Sequence, residues 1–95
     1  MSTFKVAHVR EQGIDLIIIP LESAFGRKTE EQQQETIAAL QACASSAGLK
    51  GTVVPVWDAG NGRMAFIAPQ RWHPFFSGLS LPVVASNINR ELTCG

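Results

Sequence analysis

Hydrophobic and polar positions alternate along the first part of the chain, which is the pattern of β-strands with a covered face. The alternation predicts strands at Phe4–Arg10 and Ile14–Leu21, joined by a three-residue hairpin with a glycine bulge at Glu11–Gly13. The second strand contains the run Leu16–Ile19, which is apolar on both of its faces. We therefore expect it to be a central strand that is covered on both sides.

Apolar residues then recur at helical spacing, which predicts one long helix near Thr29–Ala47. Thr29 and Gln32 match a capping box, in which each side chain bonds a free backbone N–H of the first turn. Gly48 followed by Leu49 is typical of a Schellman motif, which ends a helix. The helix bounds are therefore marked at both ends by local chemistry.

A second hairpin is predicted by Asn61-Gly62, the strongest turn signal in the chain, because both residues tolerate positive φ. The turn would join strands at Thr52–Asp58 and Arg63–Ala68. A two-residue loop would place Trp57 opposite Phe66, with both rings on the same face of the sheet.

Three further properties of this hairpin constrain the sheet. Pro55 cannot donate a ladder hydrogen bond, so its strand should be an edge strand or carry a bulge. Asp58 would lie diagonal to Arg63 on one face, as a cross-strand ion pair. Both faces of the hairpin carry apolar residues, so a second subunit, a bound partner or the C-terminal segment should cover the second face.

The last third of the chain is less regular in pattern. Pro74 interrupts Pro69–Gly78, so we expect a turn there, followed by about one to two helical turns. Leu81–Asn87 has strand character, and Asn87–Cys94 fits either a short helix or a strand extension. The element order predicts an α+β fold, a small two-layer sandwich. Without its first strand that order is βαββαβ, as in ferredoxin-like folds.

Composition favours one soluble domain that spans residues 1–95. The chain is 45% hydrophobic and 17% charged, which favours a packed core over disorder. Eight basic and eight acidic residues give a net charge of zero, which argues against a nucleic-acid partner. The longest apolar run is too short to span a bilayer and no signal-peptide pattern is present. We therefore expect no membrane association and a cytoplasmic location.

The cysteines and histidines carry no catalytic or metal-binding signature. Cys43 and Cys94 lie far apart without C-x-x-C spacing, so we expect unpaired cysteines in a reducing compartment, with Cys43 packed on the helix. His8 and His73 have no partners at metal-ligand spacing. The loop Ser23–Thr29 only partly resembles a phosphate-binding loop, because the first glycine is missing. We predict no metal, no cofactor and no catalytic residue.

The aromatic segment around Pro74 is the most unusual part of the sequence. The rings of Trp72, Phe75 and Phe76 point in different directions, so at least one should be exposed. Packing of all three in the core is the alternative interpretation. The candidate binding residues come from this segment and the second hairpin: Trp72, His73, Phe75, Phe76, Trp57, Phe66, Asp58 and Arg63.

Two functions from different classes fit this sequence. The first is a non-enzymatic module of unknown function that dimerises or binds a protein partner through an exposed apolar sheet or the aromatic loop. The alternative is a small-molecule-binding domain or minor enzyme, with a cleft near Asp58, Arg63, Trp72 and His73. Nucleic-acid binding through Arg27 and Lys28 is a third hypothesis, which the lack of a basic surface opposes.

Overall fold

A five-stranded sheet with three α-helices forms the fold. The computed structural model describes residues 2–94. The strands of the sheet are β1 (Ser2–Glu11), β2 (Ile14–Pro20), β3 (Thr52–Asp58), β4 (Met64–Phe66) and β5 (Arg90–Cys94). The helices are α1 (Glu30–Ser46), α2 (His73–Ser77) and α3 (Leu81–Ser86). This arrangement confirms the α+β class.

The strand order is β4-β3-β2-β1-β5, so β2 is central, as its apolar run predicted. β2 and β3 are parallel neighbours connected through α1, and the other three pairings are antiparallel. The first hairpin differs from the prediction in its loop. Glu11 pairs with Ile14, which leaves a two-residue loop and no bulge.

The ends of α1 form as the local sequence predicted. The Thr29 hydroxyl accepts from the Gln32 backbone N–H and the Gln32 side chain accepts from the Thr29 N–H, both at 3.1 Å. At the other end Leu49 N–H donates to Ala44 O at 2.9 Å, which is the long hydrogen bond of a Schellman motif. Local hydrogen bonding therefore fixes where the helix begins and ends.

Helices cover both faces of the sheet, so the predicted two-layer sandwich is wrong and the fold has three layers. Leu16 and Ile18 of β2 pack with α2 and α3, whereas Ile17 and Ile19 pack with α1. The C-terminal segment is thus the element that covers the second face of the sheet. The ferredoxin-like arrangement is not confirmed, because β2 and β3 are direct neighbours, without the intervening strand of a split βαβ unit.

The segment predicted as a strand at Leu81–Asn87 is the helix α3, and β5 lies further along the chain. Pro82 lies in the first turn of α3, where a missing N–H costs no hydrogen bond. The helix buries Val84 and leaves Val83 44% exposed. Tertiary packing of α3 against the sheet therefore outweighs the strand preference of its β-branched residues.

The register of the second hairpin also differs from the prediction. Trp57 pairs with Ala65, and Phe66 pairs with Val56, so the two rings lie on opposite faces of the sheet. The Ala59 N–H donates to the Arg63 carbonyl oxygen at 2.7 Å, which makes the loop three residues long. One additional loop residue shifts the pairing by one and reverses the faces.

Pro55 lies in an internal strand, since β3 has β2 on one side and β4 on the other. The Pro55 carbonyl accepts from Ile67 N–H at 3.2 Å, but Pro55 has no N–H to donate to the Ile67 carbonyl. β4 ends at Phe66, one residue earlier. The prediction of an edge strand or a bulge is therefore wrong: β3 is internal, and its pairing with β4 stops at the proline.

Cys43 on α1 and Cys94 at the end of β5 form a disulfide bond. The prediction of unpaired cysteines is therefore wrong. α1 packs against β5, so tertiary folding brings together two residues that are 51 positions apart. The sequence argument from these cysteines to a reducing compartment no longer holds, and the cytoplasmic location stays a prediction.

Candidate functional site

Two cavities lie at the end of the sheet where the parallel strands β2 and β3 terminate. In open sheets with parallel strands, ligands bind outside the carboxyl ends of the strands. A 3₁₀ turn at Ser23–Arg27 follows β2 and contributes lining residues to both cavities. Its Phe25 is buried and packs edge-on against Trp57, with ring centroids 5.0 Å apart. The Gln33 side chain holds the turn by donating to the Phe25 carbonyl at 3.0 Å.

The larger cavity has a volume of about 660 Å³ and a mostly apolar lining. We call it the apolar cavity. Its walls come from the start of β1, the end of β2, the 3₁₀ turn and the end of α3: Phe4, Leu21, Phe25, Ala85 and Ile88. This volume falls within the range of roughly 300–1,000 Å³ that is usual for small-molecule sites.

Three charged side chains also line the apolar cavity: Lys5, Glu22 and Lys28. All three are exposed. The one ion pair within residues 2–94 joins Arg10 to Asp15, so neither lysine is paired with a carboxylate in the described part of the chain. The cavity therefore combines an apolar interior with one excess positive charge.

The smaller cavity, of about 320 Å³, has a more polar lining, and we call it the polar pocket. It lies between the 3₁₀ turn and the loop after β3, and the residues that line it include Ser23, Arg27, Trp57 and Asp58. Gly26 lies directly against the indole, where a Cβ atom would collide with Nε1 of Trp57. A residue without a side chain is therefore needed for this close approach.

The predicted aromatic surface is largely interior. Trp72 and Phe76 are 4% and 1% exposed, and Phe75 is partly buried against the same core. The expectation that at least one of these rings is substantially exposed is therefore wrong. A ring pair, the partly buried Phe66 and the buried Phe76 with centroids 5.4 Å apart, instead joins β4 to α2.

The remaining predicted site residues do not assemble into one cleft. Asp58 accepts from the Gly60 N–H at 2.8 Å and makes no ion pair with Arg63 among the described residues. The His73 ring bonds the Ala68 carbonyl at 3.0 Å and packs edge-on against Phe66. Asp58 and Trp57 line the polar pocket, but Arg63 and His73 line neither cavity. A binding role for the predicted set stays a prediction.

The described residues contain no group of three His, Cys, Asp or Glu side chains that could hold a metal ion. His8 is bound to the backbone, with Nε2 2.8 Å from the Lys50 carbonyl oxygen.

Comparison with protein families, curated proteins and solved structures finds no match to this chain. No helix within residues 2–94 is long and apolar enough to cross a membrane. The function must therefore be argued from the two cavities.

Sequence patterns did not identify the walls of the apolar cavity. Phe4, Leu21 and Ile88 are separated by most of the chain, and each resembles an ordinary core residue in its local pattern. The partly phosphate-like loop Ser23–Thr29 was the local signal next to the apolar cavity, and Trp57 and Asp58 were the predicted site residues next to the polar pocket. The loop contributes Lys28 to the apolar cavity and Arg27 to the polar pocket, without forming a phosphate loop.

Proposed function

We propose that this protein binds a small amphipathic organic anion in the apolar cavity. The observation that supports this proposal is a cavity of about 660 Å³ at the carboxyl end of β2, in which apolar walls adjoin two lysines. Apolar walls supply affinity through burial, and a few polar groups fix orientation. A carboxylate or sulfonate with a hydrocarbon body matches both parts of the cavity.

The charge of the lining selects among amphipathic ligands. Lys5 and Lys28 outnumber Glu22, so the lining favours an anionic head group over a cationic one. Exposed charges separated by solvent interact weakly, so most of the affinity must come from the apolar part of the ligand. We therefore expect neutral ligands to bind more weakly than anions, and cationic ligands most weakly.

Calorimetric titration with octanoate, octanol and octylamine tests the proposal. We expect saturable binding of octanoate that weakens with added salt, and at least about tenfold weaker binding of octylamine, a difference of about 1.4 kcal/mol. The double variant Lys5→Gln/Lys28→Gln should remove most of the preference for the anion. Lys50→Gln is the matched control, because Lys50 is exposed and outside the cavity.

A second variant tests the position of the ligand. Ala85 is an exposed residue of α3 that lines the cavity, so Ala85→Phe should occupy part of the space and weaken octanoate binding. Ala38→Phe, on the exposed side of α1, is the control and should bind as the wild type does. Equal binding by Ala85→Phe and the wild type, with both proteins folded, would contradict the proposal.

An association function, by dimerisation or with a protein partner, stays a prediction. The surface proposed for it has changed, because the aromatic segment is largely covered. Val83 is the large hydrophobic residue of the described chain that remains exposed, and it borders a groove of about 170 Å³ with Phe75. Light scattering of the wild type and Val83→Ser tests whether this groove mediates self-association.

A further inference from the structure

The polar pocket contains two opposite charges that do not pair with each other. Arg27 and Asp58 both line it, yet the ion pair between them is absent from the described structure. Asp58 uses Oδ1 to accept from the Gly60 N–H at 2.8 Å, which leaves Oδ2 for another partner. One cavity of about 320 Å³ therefore offers a cationic and an anionic group at the same time.

Trp57 adds a third polar group, which is almost buried. The residue is only 8% exposed, and its indole N–H has no acceptor among residues 2–94. No fully buried polar side-chain atom of these residues lacks a partner, so the indole nitrogen is accessible to solvent, and Trp57 is one of the residues that line the pocket. Indole N–H groups at buried positions usually donate a hydrogen bond. An accessible indole N–H in the lining is a donor that a ligand in the pocket can use.

We infer that the polar pocket binds a small zwitterion that carries one carboxylate and one ammonium group, as an α-amino acid does. The carboxylate pairs with Arg27 and accepts from the Trp57 indole N–H. The ammonium group donates to Oδ2 of Asp58. A simple anion would satisfy Arg27 and Trp57 but would be repelled by Asp58, and a simple cation would be repelled by Arg27. The zwitterion satisfies all three groups together.

This site does not rest on the proposed function, because the two cavities have no lining residue in common. The turn contributes to both, however, and Phe25 on one side packs against Trp57 on the other. Because each cavity has its own lining residues and its own test ligand, binding to one cavity can still be measured while the other is empty. Loss of octanoate binding would leave this inference intact, and the reverse also holds.

The test uses the full chain labelled with ¹⁵N in its two tryptophans, Trp57 and Trp72. Each indole N–H gives one resonance, and that of Trp57 is identified by its loss in the variant Trp57→Phe. Titration with L-alanine should shift the Trp57 resonance saturably and leave Trp72, which is in the core, unchanged. Acetate and ethylamine, each with one of the two charges, should bind at least about tenfold more weakly.

Matched variants separate this site from non-specific effects. Arg27→Gln and Asp58→Asn should each weaken L-alanine binding about tenfold or more, and Asn keeps an oxygen for the Gly60 N–H. Arg63→Gln is the control, since Arg63 is exposed and does not line the pocket. Three results would overturn the inference: no saturable shift at Trp57, acetate binding as tightly as L-alanine, or an Arg63→Gln effect equal to that of Arg27→Gln.

Discussion

Cys43 on α1 is joined by a disulfide to Cys94 at the end of β5, and the two Cα atoms are 5.9 Å apart. β5 is an edge strand, bonded to the sheet only through β1. The disulfide fixes this edge strand to the helix that covers one face of the sheet. It also closes a loop across half of the chain, with a sequence separation of 51.

Removal of the disulfide should destabilise the protein. A loop of this length corresponds to about 4 kcal/mol of lost chain entropy in the unfolded state. Urea denaturation of Cys43→Ser/Cys94→Ser should therefore show a lower midpoint than the oxidised wild type. A thiol assay on the denatured, non-reduced wild type is the control, and two reactive thiols there would show that the bond does not form.

Replacement of Phe76 should cost folding stability rather than a surface function. Phe76 is 1% exposed and packs against Phe66 and Phe75, so Phe76→Ala should lose about 3–5 kcal/mol. Val83→Ser, at a 44% exposed position, should change the unfolding free energy by less than about 1 kcal/mol. Urea denaturation checks both values. Phe76→Leu provides a milder change if the alanine variant does not fold.

Local chemistry predicted part of this fold well. The bounds of α1 depend on hydrogen bonds between residues within one turn, so Thr29 and Gly48 were sufficient to locate them. The central position of β2 followed from its run of apolar residues, which requires cover on both faces. These are features that a short segment determines without reference to the rest of the chain.

Features that depend on distant parts of the chain could not be predicted in this way. The register of the second hairpin depends on whether Gly60 belongs to the loop or the strand, and the turn signal fits both alternatives. The conformation of α3 depends on the burial of Val84 against the sheet. The apolar cavity has walls from both ends of the chain, Phe4 and Ile88 among them, so no local pattern marks it.

The capping box of α1 provides a prediction about local stability. Thr29→Ala removes the acceptor for the Gln32 N–H, so the unfolding free energy should fall by about 1 kcal/mol. Thr29→Ser keeps the hydroxyl and should retain most of the stability. Thermal unfolding followed by circular dichroism checks the difference. Equal stability of the alanine and serine variants would show that water replaces the cap without loss.

Asn89 provides the last prediction, because its side chain takes the place of one further residue of β5. Its Oδ1 accepts from the His8 N–H at 2.8 Å, and its Nδ2 donates to the His8 carbonyl at 2.9 Å. The backbone N–H of Asn89 also donates to the Val6 carbonyl at 3.0 Å. The side chain thus extends the β1–β5 ladder by one step on the N-terminal side of Arg90, where β5 begins.

Asn89→Ala should remove both side-chain hydrogen bonds, at a cost of about 1–2 kcal/mol, since each contributes about 1 kcal/mol or less at an exposed position. Asn89→Asp keeps the acceptor for the His8 N–H but places a carboxylate against the His8 carbonyl, so it should also be destabilising. Amide hydrogen exchange of His8 is the sharper measurement, because its N–H should become less protected in Asn89→Ala. Unchanged protection would mean that water or another group accepts from the His8 N–H when the Asn89 side chain is absent.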